Sequence, residues 1–366
     1  MERGQRRAFH TLDGLRGIAA LLVVLRHVGP LTAGTSLSEN FLAVDLFFVL
    51  SGFVIAFAYD DRLARPGFIR QFLVIRLIRL YPLYLLGLAV GALHRVGSVL
   101  NHTENWTATY LAEAVLLGVL LVPQTPLTAI GSSELDTPTW TLLPELVANM
   151  VYAVLFRWLT PFVLMVLVGT GAAGVVACRL HYGTLDAGWE FAQWPIIASR
   201  LLFSFFAGVL LFRLLGDRRQ TRPWVAWLCV AAVGTALSIS PPDDLRTAYE
   251  LALVLGLFPL VVWVGGQNEP GQWDGRLFRF LGLISYAVYV LHQPAAALFA
   301  RVLERGLHLR LDSVPVAHAA LAAFIAGLVA ATWLIDKYYD APIRRWLSRG
   351  RASRAPSPPA RPSRGL

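Results

Sequence analysis

Ten stretches of this chain are apolar for long enough to cross a bilayer: residues 14–32, 41–59, 73–93, 140–158, 161–178, 196–215, 224–240, 247–265, 280–301 and 316–337. A spanning helix needs roughly 20 such residues. Lipid offers backbone groups no hydrogen-bond partner, so each stretch must satisfy itself as a helix. The expectation is an all-α polytopic membrane protein, a bundle of about ten transmembrane helices. Residues 110–122 form a shorter apolar stretch carrying Glu113, which predicts a re-entrant or interfacial segment. Composition points the same way. Only 15% of the 366 residues are charged and 56% are hydrophobic, whereas a soluble domain carries roughly 25% charged residues.

The net charge of +9 is a matter of topology rather than of nucleic acid, and no nucleic-acid partner is expected. Arg3, Arg6 and Arg7, then Arg62, Arg65 and Arg70, then Arg218, Arg219 and Arg222, then Arg276 and Arg279 fall in alternate loops. The opposite loops hold mainly Arg95, Arg179 and Arg246 and the acids Glu39, Glu134, Asp136, Asp186, Asp243 and Asp244. The loop with Arg301, Arg305 and Arg310 departs from the pattern. The positive-inside rule then puts both termini in the cytoplasm of a multi-pass protein of the cell membrane. Residues 1–345 read as one transmembrane domain, and 346–366 as a disordered Arg/Pro-rich cytoplasmic tail. Cys178 and Cys229 have no metal-ligand spacing, and no metal is expected.

Ionisable groups inside such helices are expensive and usually line a polar interior. Arg16 and His27 lie eleven residues apart in the first stretch. Eleven helical steps turn through about 1100°, so both share one face, about 16 Å apart. In the inferred topology His27, Asp45, Glu145 and His292 reach a similar depth near the outer side, on four different helices. A histidine beside a carboxylate can take a proton from an attacking hydroxyl, or carry an acyl group itself. Each residue also has a plainer reading. Arg16 can snorkel, Asp45 can cap its helix, Glu145 can sit at a helix N-terminus, and His292 can bond across helices near Pro294. Ser51 reads chiefly as a packing residue. On the cytoplasmic side Arg70, Arg76 and Arg79 precede Tyr81-Pro82, and beside Arg16 they could hold a cluster of phosphates. Positive-inside anchoring is the alternative. Arg200 is a further intramembrane charge with no partner evident from sequence.

Six short segments, in order, resemble the acyltransferase-3 family of integral membrane O-acyltransferases. They are Leu12-Asp13-Gly14-Leu15-Arg16-Gly17 leading to His27, Val44-Asp45-Leu46-Phe47-Phe48-Val49-Leu50-Ser51-Gly52-Phe53, and Arg76-Leu77-Ile78-Arg79-Leu80-Tyr81-Pro82. Trp140-Thr141-Leu142 with Glu145, Ser285-Tyr286 with Leu291-His292-Gln293-Pro294, and Ala341-Pro342-Ile343-Arg344-Arg345 follow. Thr141 stands where the family usually has serine, and Pro144 directly precedes the glutamate.

The resemblance implies a bundle of about ten helices that takes an acyl group, usually acetyl from acetyl-CoA, at the cytoplasmic face. It passes that group to a hydroxyl of a carbohydrate or glycosylated acceptor. Carried onto this sequence, Arg16, Arg76 and Arg79 would bind the acyl-CoA phosphates. His27 would be general base or acyl carrier with Glu145 fixing it, while Asp45 and His292 line the outer side. The rival expectation is a transporter or flippase of glycans or lipids that uses the same intramembrane charges as a path.

Overall fold

A computed structural model of the protein describes residues 8–32, 38–102, 105–123, 133–187, 191–215, 220–309, 311 and 313–352. The chain is a bundle of helices: α1 (His10–His27), α2 (Ala43–Leu63), α3 (Phe68–Leu100), α4 (Ala108–Val119), α5 (Leu142–Leu155), α6 (Pro161–Tyr182) and α7 (Trp194–Leu214). Then come α8 (Pro223–Ser238), α9 (Asp243–Ala252), α10 (Phe258–Gln267), α11 (Gln272–Arg301), α12 (Val314–Ile335) and α13 (Ala341–Ala352). A wider π turn, Leu253–Leu257, joins α9 to α10 without a break. The only described strands are Gln220–Thr221 and Asn268–Glu269, which pair in parallel between loops.

Eight of the described helical segments are long and apolar enough to cross a membrane. Two more stretches read as spans from sequence fall outside that set for identifiable reasons. The 18-residue α1 carries Asp13, Arg16 and Arg26, and α8 has only 16 residues. The segment expected to be re-entrant is α4, whose 12 residues reach about 18 Å at 1.5 Å each. At its C-terminal end the carbonyl of Gly118 accepts the Tyr84 hydroxyl at 2.6 Å.

Glycines set two close helix crossings. A Cβ on Gly52 of α2 would strike the backbone carbonyl of Phe205 in α7, and one on Gly208 of α7 would strike that of Val49 in α2. The two backbones therefore touch, and α2 and α7 run parallel. On α1, Gly14 and Gly17 give way in the same manner to Phe278 and Leu281 of α11. Small residues at such seams are what lets membrane helices gain packing energy, since lipid supplies no hydrophobic drive between them. The α1–α11 seam carries the histidines, and the α2–α7 seam carries Asp45 and Arg200.

Two expectations need correction here. The helix that ends in Ala352 runs through the start of the stretch read as a disordered tail from residue 346. Ile343, Trp346 and Leu347 fall on one side of it, among arginines. The remainder of that tail, and Arg3, Arg6, Arg7, Arg218, Arg219 and Arg310, lie outside the described residues. Asp136, counted above as an outer-loop acid, is buried, and neither of its carboxylate oxygens has a hydrogen-bond partner. Burial raises its pKa well above the usual carboxylate range.

Candidate active site

Two cavities lie along α1, one toward each end of the helix. The larger encloses about 220 Å³ and is bordered by Arg16, Arg76, Arg79, Ser51 and Glu145 among apolar side chains of α2 and α11. The smaller encloses about 50 Å³ and is bordered by His27, Arg26, Asn40, Trp140 and Asp186. The shared face read from the Arg16–His27 spacing is thus the inner face of the bundle, with one residue on each cavity.

The larger cavity is cationic. Three guanidiniums face one carboxylate across it. Arg76 comes from the N-terminal third of α3 and donates through Nη2 to Glu145 Oε1 at 2.8 Å, while Ser51 Oγ donates to the same oxygen at 3.0 Å. Arg76 is buried, and its Nε has no partner. Glu145 is held in the first turn of α5, where a helix N-terminus favours a carboxylate. Pro144 sits in that same turn, where its missing N–H costs nothing, so it leaves the aim of Glu145 undisturbed. Arg70, grouped with Arg76 and Arg79 above, is exposed and stands away from the cavity.

The smaller cavity is bordered by His27, and His292 lies behind it. His27 and His292 meet with Nδ1 of the first and Nε2 of the second 3.2 Å apart. Their hydrogen-bond partners fix the protons. His292 Nδ1 faces the carbonyls of Tyr289 (2.7 Å) and Val288 (3.1 Å), so in neutral His292 it carries the proton and Nε2 is an acceptor. His27 Nδ1 faces that acceptor and the carbonyl of Val23 at 3.0 Å, so it too must donate. The lone pair of neutral His27 is then on Nε2. Next to it Arg26 pairs with Asp186, from the segment that follows α6.

Of the four side chains expected together near the outer side, His27 and His292 meet, while Glu145 and Asp45 lie elsewhere. Glu145 meets the arginines, not His27, because the short turn Thr137–Thr141 and α5 bring it against α3 and α2. Asp45 borders neither cavity. It is fully buried and clasped by Arg200, whose Nη2 lies 2.6 Å from Oδ2 and whose Nε lies 3.1 Å from both oxygens. Asp45 makes no cap bond, and Arg200 thereby gains the partner it lacked in sequence. His292 does stand beside His27, as a neighbour that orients it. Three residues not expected at the site border it: Asn40 and Asp186, the latter counted only as an outer-loop acid, at the histidine cavity, and Tyr289 at both cavities. The usable signal for Tyr289 was its place three residues before His292, one turn away on α11.

Fold and site together define an integral membrane protein with an internal, cationic, histidine-bearing site. Residues 9–336 match the family described as an acyltransferase domain, and the chain belongs to that family, acyltransferase-3. It is an enzyme of acyl transfer. Among curated proteins it is 41% identical over 172 residues to "Protein 2 in picA locus" of Rhizobium radiobacter, covering 41% of this chain and 82% of that one. It is 26% identical to the acyltransferase MdmB of Streptomyces mycarofaciens, over 95% of each chain. It is 22% identical to the peptidoglycan O-acetyltransferase OatA of Listeria monocytogenes, over 82% of this chain but only 51% of that protein. No solved structure matches the chain.

Proposed function

We propose that the protein is an O-acyltransferase of the plasma membrane, moving acetyl from cytoplasmic acetyl-CoA to a hydroxyl of a carbohydrate or glycosylated acceptor. The observation that carries this reading is the paired arrangement along α1. A cationic cavity suited to a phosphorylated donor lies at one end, and an imidazole with a free Nε2 lies at the other. The relatives' printed names, an acyltransferase and a peptidoglycan O-acetyltransferase, support an acyl donor and a glycan acceptor.

In this reading Arg16, Arg76 and Arg79 hold the donor's phosphates at the cytoplasmic mouth, where guanidinium forks suit phosphate oxygens. The thin pantetheine arm follows the cavity inward. His27 Nε2 takes the proton of the acceptor hydroxyl as its oxygen attacks the thioester carbonyl. The carbon–sulfur bond breaks, and the same proton passes to the departing thiolate. His292, fixed by two carbonyls, keeps Nδ1 of His27 occupied and so keeps Nε2 basic. Glu145 holds Arg76 in place until a phosphate arrives.

Alanine at His27 tests this directly. Transfer of label from acetyl-CoA to membrane glycan should fall by about 10²–10⁴-fold, with the protein present at its normal level in the membrane. Undiminished labelling would remove His27 from the mechanism. Arg79→Ala should raise the acetyl-CoA concentration needed for half-maximal rate more than that of the acceptor; equal effects would point to anchoring. Translocation of glycan without consumption of acetyl-CoA would favour the transporter reading instead.

A further inference from the structure

The arginine cavity and the histidine cavity are neighbours. Two residues, Val44 and Tyr289, border both. The Tyr289 side chain is held at both ends. The hydroxyl donates to the carbonyl of Pro138 at 2.8 Å and accepts from Thr141 Oγ1 at 2.9 Å. The ring packs edge-on against Phe47, with centroids 5.5 Å apart. The Tyr289 carbonyl is also the one that His292 Nδ1 meets most closely, so backbone and side chain of a single residue face the two halves of the site.

We propose that Tyr289 is the partition between a donor chamber and an acceptor chamber, and that it determines whether the thioester meets the acceptor hydroxyl or water. The inference rests on the acyl-CoA reading above. A thioester lodged among Arg16, Arg76 and Glu145 is shielded from Nε2 of His27 by the Tyr289 ring. Transfer then requires the ring to leave the Pro138 carbonyl. The turn that holds it, Thr137–Thr141, leads within four residues to Glu145, the group that answers to the donor arginines. The partition and the donor cavity therefore share one rigid element. If the wall is removed, water from the acceptor side takes the place of the hydroxyl. It adds its oxygen to the acyl carbon and the carbon–sulfur bond breaks; one proton of the water passes by way of His27 to the departing thiolate, the other is released to solvent, and acetate and free CoA thiol leave.

The test uses the purified full chain in nanodiscs with acetyl-CoA as the probe and no acceptor, reading free thiol released. Binding of CoA is read separately by the shift in unfolding temperature. Tyr289→Ala keeps the carbonyl that orients His292 and removes the wall. Thiol release should rise at least tenfold over the native protein while CoA still stabilises the fold. Adding His27→Ala to it should return release to the native level. Tyr289→Phe, which keeps the ring and loses the latch, should rise less than Tyr289→Ala. Should Tyr289→Ala fail to accumulate, Val44→Ala removes the other shared residue and is read by the same outcomes. Native-level release from a wall-less variant that still binds CoA overturns the partition and leaves the donor reading standing. If CoA does not stabilise even the native protein, the donor reading fails and the partition falls with it.

Discussion

At the scale of single residues, the site is governed by which polar atoms are already spoken for. Neutral His27 has its lone pair on Nε2 because the Val23 carbonyl and His292 Nε2 both present acceptors to Nδ1, and His292 does so because two carbonyls claim its own Nδ1. This gives His292 a positioning role. His292→Gln, which can still accept the Nδ1 proton, should keep severalfold more transfer activity than His292→Ala at equal protein level; equal losses would contradict it. Asp136 illustrates the opposite situation, a buried carboxyl with no partner. Its pKa is raised in the folded chain, so it costs stability once pH exceeds the unfolded value of about 3.9. The cost grows with pH up to the folded pKa. Asp136→Asn should therefore raise the unfolding temperature at pH 8 and change it little near pH 4. An unfolding temperature lowered at both pH values would show that the carboxylate is paired in the native protein.

Among helices, the decisive feature is where two backbones touch. Gly52 and Gly208 leave no room for a side chain between α2 and α7, and Asp45 and Arg200 close over each other about two turns away on the same seam. Asp45→Ala leaves a buried guanidinium without its carboxylate, at a cost of about 3–5 kcal/mol. Replacing both members with leucine removes the charge as well as the pair and should recover most of that loss in thermal unfolding. A double variant no better than the single one would show that the pair does more than neutralise itself. The helices were legible in the sequence because the membrane dictates them: an apolar run has no alternative to coiling. The pairing was not. Asp45 and Arg200 are 155 residues apart, and nothing in either stretch says that α2 and α7 are neighbours. Depth along a helix can be counted from sequence, but direction around it relative to other helices cannot. That is why Glu145 and Asp45 were assigned to His27 and belong elsewhere. Arg16, Arg76 and Arg79 do border one cavity, Arg76 and Arg79 being one turn apart on α3, whereas Arg70, read with them, stands away from it.

For the molecule as a whole, orientation decides which chamber meets which compartment. If both termini are cytoplasmic, Arg16 lies toward the cytoplasm and His27 toward the far side. A cysteine placed at Arg70, which is exposed at the start of α3, should react with a membrane-impermeant maleimide only in inside-out vesicles. Labelling in intact cells would invert the scheme and separate the cationic cavity from the cell's acetyl-CoA. The height of the protein is also uneven. The hydrocarbon is about 30 Å deep, whereas α4 reaches only about 18 Å and packs against the far taller α3. Over that part of the perimeter the lipid meets a step, and the leaflet must thin or bend to follow it. An acceptor tethered to a lipid would find its lowest barrier to the interior there.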